Sequence, residues 1–94
     1  MKPFNWSDKK NDTLKSERLV SFEDVVIAIS EHRLLDVIEH PNRQRYGDQK
    51  IYIIRIENYV YLVPYIEDDH AIYLKTIIPS RKATRTYLGG KNHD

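Results

Sequence analysis

The sequence predicts an α+β domain with two N-terminal helices, a four-stranded antiparallel sheet and a C-terminal helix. Three observations lead there. Phe22, Val25, Val26 and Ile29 recur at i, i+3, i+4 and i+7, the spacing of a helix with one buried stripe. From Ile51 to Ile78 the chain changes to three runs rich in β-branched and aromatic residues, joined by segments short enough for antiparallel hairpins. Ser80 then opens a short basic segment that Gly89-Gly90 stops, as glycines stop helices.

Taken in order, Ser7 is an N-cap for a first helix over 8–18. That helix is polar, with Leu14 as its main apolar anchor, so it is expected on the surface. Ser21 caps a second helix through about His32, and Glu23 and Asp24 in its first turn complement the helix dipole. Leu34 to Glu39 (LLDVIE) suits a first strand, ended by His40-Pro41-Asn42, and PNRQRYGDQ reads as a loop. The three β-rich runs cover 51–57, 59–67 and 71–78, with turns near Asn58 and at Asp68-Asp69-His70. Pro64 has no N–H to give, so a bulge or an exposed edge is expected beside it. Alternation places Tyr59, Tyr61, Val63 and Tyr65 on one face and Val60, Leu62 and Ile66 on the other. The second set is expected to receive the Phe22–Ile29 stripe. The closing helix runs from its Ser80 cap through Leu88.

Ninety-four residues, 40% of them hydrophobic, suit one domain over 1–94 with a small core. The chain has no cysteine, which excludes disulfides and thiolate metal sites. No apolar run approaches the roughly 20 residues that span a bilayer. The start, MKPFNWSDKK, has no stretch of signal-peptide type, so a soluble cytoplasmic protein without a membrane partner is expected. His32, His40, His70 and His93 show no HxxH or HExxH spacing, and no acidic loop resembles a calcium site. Neither a metal nor another cofactor is expected. GxxxxGK[ST], GxGxxG and GxSxG are all missing from the sequence, which leaves nucleotide hydrolysis, dinucleotide chemistry and serine hydrolysis without a basis.

The net charge is only +1, but its distribution is uneven. Glu23 to Glu39 holds five acids against one base, the first twenty residues hold five bases against three acids, and Arg81 to Lys91 holds four bases and no acid. A fold that joins the chain ends would own a basic face. Arg81 and Arg85 are four apart and project from one side of a helix. Lys82 lies between them, Lys75 is on the preceding strand, and Lys9, Lys10, Lys15 and Arg18 line the first helix. Arginine grips phosphate through a planar fork at any workable pH. The bland alternative is a set of solvated charges. Seven tyrosines, among them Tyr52, Tyr61, Tyr65 and Tyr73 in strands, leave a similar choice between cross-strand pairing and a surface for stacking bases.

The opening FNWSDKKNDTLKSERLVSFEDV resembles that of BrnT-type toxins of the RelE-like superfamily, which run F-x-W-D-x-x-K and later S-F-E-E-A. Trp6, Lys10 and Val20-Ser21-Phe22-Glu23 stand at matching places. The end, IIPSRKATR, is similar to that family's I-I-S-A-R-R-A-T-R, with Arg81, Ala83 and Arg85 in correspondence, and Gly47-Asp48-Gln49-Lys50 resembles its G-E-x-R. Order and length agree across nearly the whole chain. Arg18-Leu19 stands where the family commonly has His-Gly, Glu17 where it has Lys, and Ser7 replaces an aspartate. The cation of the family's last strand falls at Thr76, one residue from Lys75.

The resemblance implies a RelE/BrnT-like fold and a toxin of a type II toxin–antitoxin system, an endoribonuclease that cleaves free or ribosome-bound mRNA without a metal. It implies as partner a cognate antitoxin, a ribbon-helix-helix or similar small DNA-binding protein. Within that reading the catalytic candidates of this chain are Arg81 and Arg85 on the scissile phosphate, with Lys75 or Arg18 beside them. Tyr87 could orient or donate a proton, and Glu17 is a candidate base, although the family has Lys at that place. Lys10, Lys15, Arg18 and Lys82 are the RNA-binding candidates. The alternative is a non-catalytic RNA-binding or protein-interaction module. The catalytic reading expects the terminal guanidinium groups to share one pocket with the opening helix.

Overall fold

The computed structural model describes residues 2–89; Gly90, Lys91 and His93 lie outside the described residues, so of the Gly89-Gly90 stop only Gly89 is seen. The elements are β1 (Phe4–Asn5), α1 (Asp8–Arg18), α2 (Phe22–Ser30), β2 (Leu34–Glu39), α3 (Arg43–Tyr46), β3 (Lys50–Ile56), β4 (Tyr59–Glu67), β5 (Ile72–Leu74), β6 (Ile78–Pro79) and α4 (Arg81–Thr84), which continues as a π-type turn over Arg85–Gly89. The class is α+β. No helix among the described residues is long and apolar enough to cross a membrane.

Both N-terminal helices begin where the sequence places them. Ser7 accepts the Lys10 N–H, and Ser21 and Asp24 form a reciprocal capping box, with bonds of 3.1 and 2.9 Å. Phe22, Val25 and Ala28 are fully buried, and Val26 and Ile29 are half-buried against them. Burial of a side chain such as Phe22 contributes about 1.5–3 kcal/mol. Helix α1 is held by more than Leu14. Buried Asn11 accepts the Phe22 N–H at 2.8 Å and donates to Glu23 Oε1 at 2.8 Å, so one amide fastens α1 to the first turn of α2.

The sheet order is β1-β5-β4-β3-β2, with β6 also paired to β4. The stretch β2–β5 is the expected antiparallel meander. The sheet has six strands where four were expected, and two elements lie outside the sequence reading. β1 adds to β5 in parallel, Phe4 opposite Ile72. The expected polar loop contains the single turn α3, capped by the Asn42 side chain on the Arg45 N–H.

The run expected as one strand over 71–78 is divided into β5 and β6. Tyr65 pairs with Leu74, but Leu62 pairs with Ile78, so three steps along β4 match four along its partner. The extra residue is a bulge. It sits beside Pro64, whose carbonyl accepts the Lys75 N–H at 2.8 Å and whose nitrogen can donate nothing. The bulge also changes which side chains point inward. Ile72 and Leu74 are buried, then Ile77, while Ile78 is 39% exposed.

The sheet faces are the reverse of the expectation. Tyr61, Val63 and Tyr65 of β4, with Tyr52 and Ile54 of β3, pack against α1 and α2. Val60 and Leu62, with Ile51 and Ile53, receive Ala83, Tyr87 and Leu88 from the closing helix. Alternation separates two faces without saying which helix each receives. Leu14, Phe22 and Val25 of the two helices, with the rings Tyr52 and Tyr65 stacked at 3.9 Å, make up the larger of the two apolar clusters. The sheet therefore lies between α1 and α2 on one side and α4 on the other.

Candidate nucleic-acid interface

The basic closing helix is fastened to the sheet by Ser80 and Thr84. Ser80 Oγ accepts the Ala83 N–H at 3.0 Å, and the Ser80 N–H donates to the Val60 carbonyl at 3.0 Å. The Thr84 hydroxyl donates to the Ser80 carbonyl at 2.8 Å and accepts the Val60 N–H at 2.9 Å. With Ala83, Tyr87 and Leu88 turned to the sheet, Arg81 and Arg85 project along one flank. They line a depression of about 330 Å³ with Asn58, Thr84 and Leu88. Both are exposed, and neither has a carboxylate within ion-pair distance among the described residues. Lys82 lies on the other flank, beside Tyr87, Ile38 and Leu62.

On the opposite face of the sheet, α1 ends at Arg18 and its C-cap Leu19 adopts φ 58°, in the left-handed region. The Arg18 guanidinium donates to the Ile77 carbonyl. Arg18 and Leu19 line a cleft of about 460 Å³ with Asp24, Glu57, Tyr59 and Tyr61. Tyr59 and Tyr61 meet edge to face, centroids 5.6 Å apart. Burial, then the Glu57 carboxylate, Tyr59 and the Asp24 carboxylate, push the Tyr61 phenol up. Asn58, in the turn joining β3 to β4, lines both this cleft and the Arg81–Arg85 depression. The two sites thus occupy one end of the sheet, on either side of that turn.

This arrangement corrects the expectation of a single pocket shared by the terminal arginines and the opening helix: no residue of α1 lines the Arg81–Arg85 depression, because the sheet intervenes. Arg18 is the α1 cation nearest to that end. Lys15 lies 3.9 Å from Glu23, while Lys10 is half-buried and Glu17 exposed on the same helix. Lys75 sits beside Asn5, Trp6, Ser7 and Tyr73, at another part of the sheet. The Tyr87 hydroxyl donates to Asp36 Oδ2 at 2.9 Å, and that hydrogen bond, more than burial, holds its phenol above the ordinary tyrosine value.

The tyrosines do not form one stacking surface. Tyr52 and Tyr65 are 8% and 4% exposed, and burial pushes both phenols up. Tyr59 and Tyr61 line the cleft, and Tyr73 is exposed elsewhere. Sequence reasoning missed Asn58, Glu57 and Thr84. Turn position was the only available signal for the first two, and for Thr84 it was the four-residue spacing from the Ser80 cap. Among the described residues no group of His, Asp and Glu is placed to hold a metal ion. Comparison with known proteins found no matching family model, no similar curated protein and no similar solved structure.

Proposed function

We propose that the chain is the toxin of a type II toxin–antitoxin pair, a RelE/BrnT-like endoribonuclease that cleaves mRNA without a metal. In this reading it acts in the cytoplasm and is silenced by a small DNA-binding antitoxin of ribbon-helix-helix or similar type. The observation that carries it is the Arg81–Arg85 pair: two exposed guanidinium groups one helical turn apart, with no acidic partner among the described residues. A cation pair placed so is free to bind a polyanion. The spacing of IIPSRKATR also gains a physical reason, since Ala83 faces the sheet while Arg81 and Arg85 face out. Leu19 supplies further support. It stands where the resembled openings have glycine, and its φ of 58° is one that glycine favours.

The reaction would be attack of an RNA 2′-hydroxyl on the adjacent phosphorus, with the 5′-oxygen leaving and a 2′,3′-cyclic phosphate formed. Arg81 and Arg85 would stabilise charge on the phosphorane, and Arg18, across the Asn58 turn, would hold a neighbouring phosphate. Lys10, Lys15 and Lys82 would contribute long-range attraction only. Tyr87, whose proton is engaged by Asp36, and Lys75, at another part of the sheet, would stay outside the reacting group. Positioning and charge stabilisation would then carry the acceleration, with water moving the protons.

That same dispersal favours a second reading, a module that binds RNA without cutting it. One experiment separates the two. Purified protein is incubated with single-stranded RNA in chelator and the ends are analysed. Cyclic-phosphate ends, and growth arrest that Arg81→Ala with Arg85→Ala abolishes, are expected of the toxin. Retention of RNA without new ends identifies the module, and a fully toxic double variant rejects the arginine assignment.

A further inference from the structure

Arg18 lies at one side of the cleft on the α1–α2 face and can meet a phosphate there, but the rest of the polar lining is of another kind. Two carboxylates, Asp24 and Glu57, share the cleft with Tyr61 and act on its phenol, and carboxylates repel phosphate. One Asp24 oxygen is committed to the Ser21 N–H at 2.9 Å. The Glu57 carboxylate is not: among the described residues it makes no hydrogen bond, while the residue's own carbonyl accepts Arg55 Nη1 at 2.9 Å. Its backbone is held at φ 55°, which fixes where the side chain leaves the turn. Around it stand the angled rings of Tyr59 and Tyr61 and the apolar side chain of Leu19, which is 86% exposed.

An exposed carboxylate with no protein partner among the described residues, beside two aromatic rings and an apolar lip, suits a flat ligand with paired N–H groups. Resting on the RNA-binding reading above, we propose that this cleft is a guanine subsite, in which Glu57 accepts the base's N1–H and N2–H while Tyr59 or Tyr61 stacks on its face. Guanine alone among the four RNA bases presents two adjacent donors on its Watson–Crick edge. Adenine and cytosine carry a ring acceptor there, and uracil flanks its single donor with two carbonyls, so each would face the carboxylate with a lone pair. The volume lies within the roughly 300–1,000 Å³ of small-molecule sites. A strand with its base here can place its next phosphates at Arg18 and, around Asn58, at Arg81 and Arg85. The guanidinium of a protein partner offers similar donors, and the titration below separates that occupant from guanine.

The test is titration of the whole protein with 5′-GMP, 5′-AMP, 5′-CMP and 5′-UMP, followed by amide chemical shifts and calorimetry. The proposal expects GMP to bind at least about tenfold more tightly than the others, one good paired contact being worth that much. Shifts should centre on residues 18–24 and 57–61. Glu57→Gln, at an exposed turn, and Tyr59→Ala should each remove the preference while the fold persists by circular dichroism. Equal affinity for all four nucleotides, shifts centred elsewhere, or binding of N-acetyl-arginine methylamide in place of GMP overturns it. Guanine preference without RNA cleavage would sink the enzymatic reading and leave the subsite standing; cleavage without GMP binding would do the reverse.

Discussion

The hydroxyl of Tyr87 lies 2.9 Å from Asp36 Oδ2 and donates to it, joining the closing segment to the outer strand β2 across fifty-one residues of sequence. The bond turns Tyr87 away from the Arg81–Arg85 flank. Under the proposed ribonuclease function, Tyr87→Phe should therefore leave RNA cleavage near that of the parent protein, whereas Arg81→Ala should lower it about a hundredfold or more, the usual cost of removing one donor to a charged transition state. Single-turnover rates on one RNA substrate compare the two. Equal losses in both variants would return Tyr87 to the reaction.

The same bond, with burial of Tyr52, Tyr61 and Tyr65, predicts how stability depends on alkaline pH. All four phenols are raised, Tyr87 chiefly by Asp36 and the others chiefly by burial. The folded protein thus holds these protons more tightly than the unfolded chain. Their contribution is fully present below the ordinary tyrosine value of about 10 and is lost as pH rises through the raised values. In an alkaline titration, these four phenols should ionise at higher pH than tyrosines of the unfolded chain, and stability should fall as they do. Ionisation of the four at the ordinary tyrosine value in the folded protein would contradict the assignment.

The bulge beside Pro64 separates two adjacent isoleucines. Simple alternation from Leu74 would bury residues 76 and 78, yet Ile77 is fully buried and Ile78 is 39% exposed. Ile77→Ala should cost about 2–5 kcal/mol, as a large-to-small change in a core does. Ile78→Ala should cost about 0.5 kcal/mol or less. Urea unfolding of the two variants decides it, and a reversed order would mean that the strand runs without the extra residue.

Much of this frame was legible from local chemistry. Ser7, Ser21 and Ser80 cap because their hydroxyls satisfy helix N–H groups, and a serine ahead of a periodic segment shows this in the sequence itself. Pro64, lacking a donor, pointed to a bulge or an exposed edge, and the structure has the bulge, on the strand paired with it. The assignment of sheet faces was not legible. Both faces of β4 are apolar enough to be buried, and only the position of α4 decides which one α2 covers. The site was half legible: Arg81 and Arg85 follow from helical spacing, but their separation from α1 depends on that same layer order. The Glu57–Asn58 turn joins the two sites by position in space, for which the chain offers no local signal.

Leu19 carries a backbone cost that can be removed. Its φ of 58° is unfavourable for a residue with a Cβ, and its side chain, 86% exposed, recovers little by packing. Leu19→Gly should stabilise the protein by up to about 1 kcal/mol, which for a domain of this size raises Tm by about 4–8 °C. Thermal unfolding measures it. A lower Tm would show that Leu19 packs in the folded protein more than its exposure indicates.

Salt dependence tests the arginine pair without relying on catalysis. Each phosphate neutralised on a single strand contributes about −0.7 to the slope of log affinity against log salt. If Arg81 and Arg85 each hold one phosphate, their joint replacement by alanine should make that slope shallower by about 1.4. Lys2 provides the internal control, since its ammonium is already paired with Glu67 at 2.8 Å and lies at the acidic Asp68 turn. Lys2→Ala should weaken RNA binding little and leave the slope unchanged. Fluorescence anisotropy with a labelled single strand, at several salt concentrations, measures all three proteins. Slopes that coincide for the parent and the double variant would mean that the two guanidinium groups are solvated in the complex, and the phosphate grip would then have to be sought on α1.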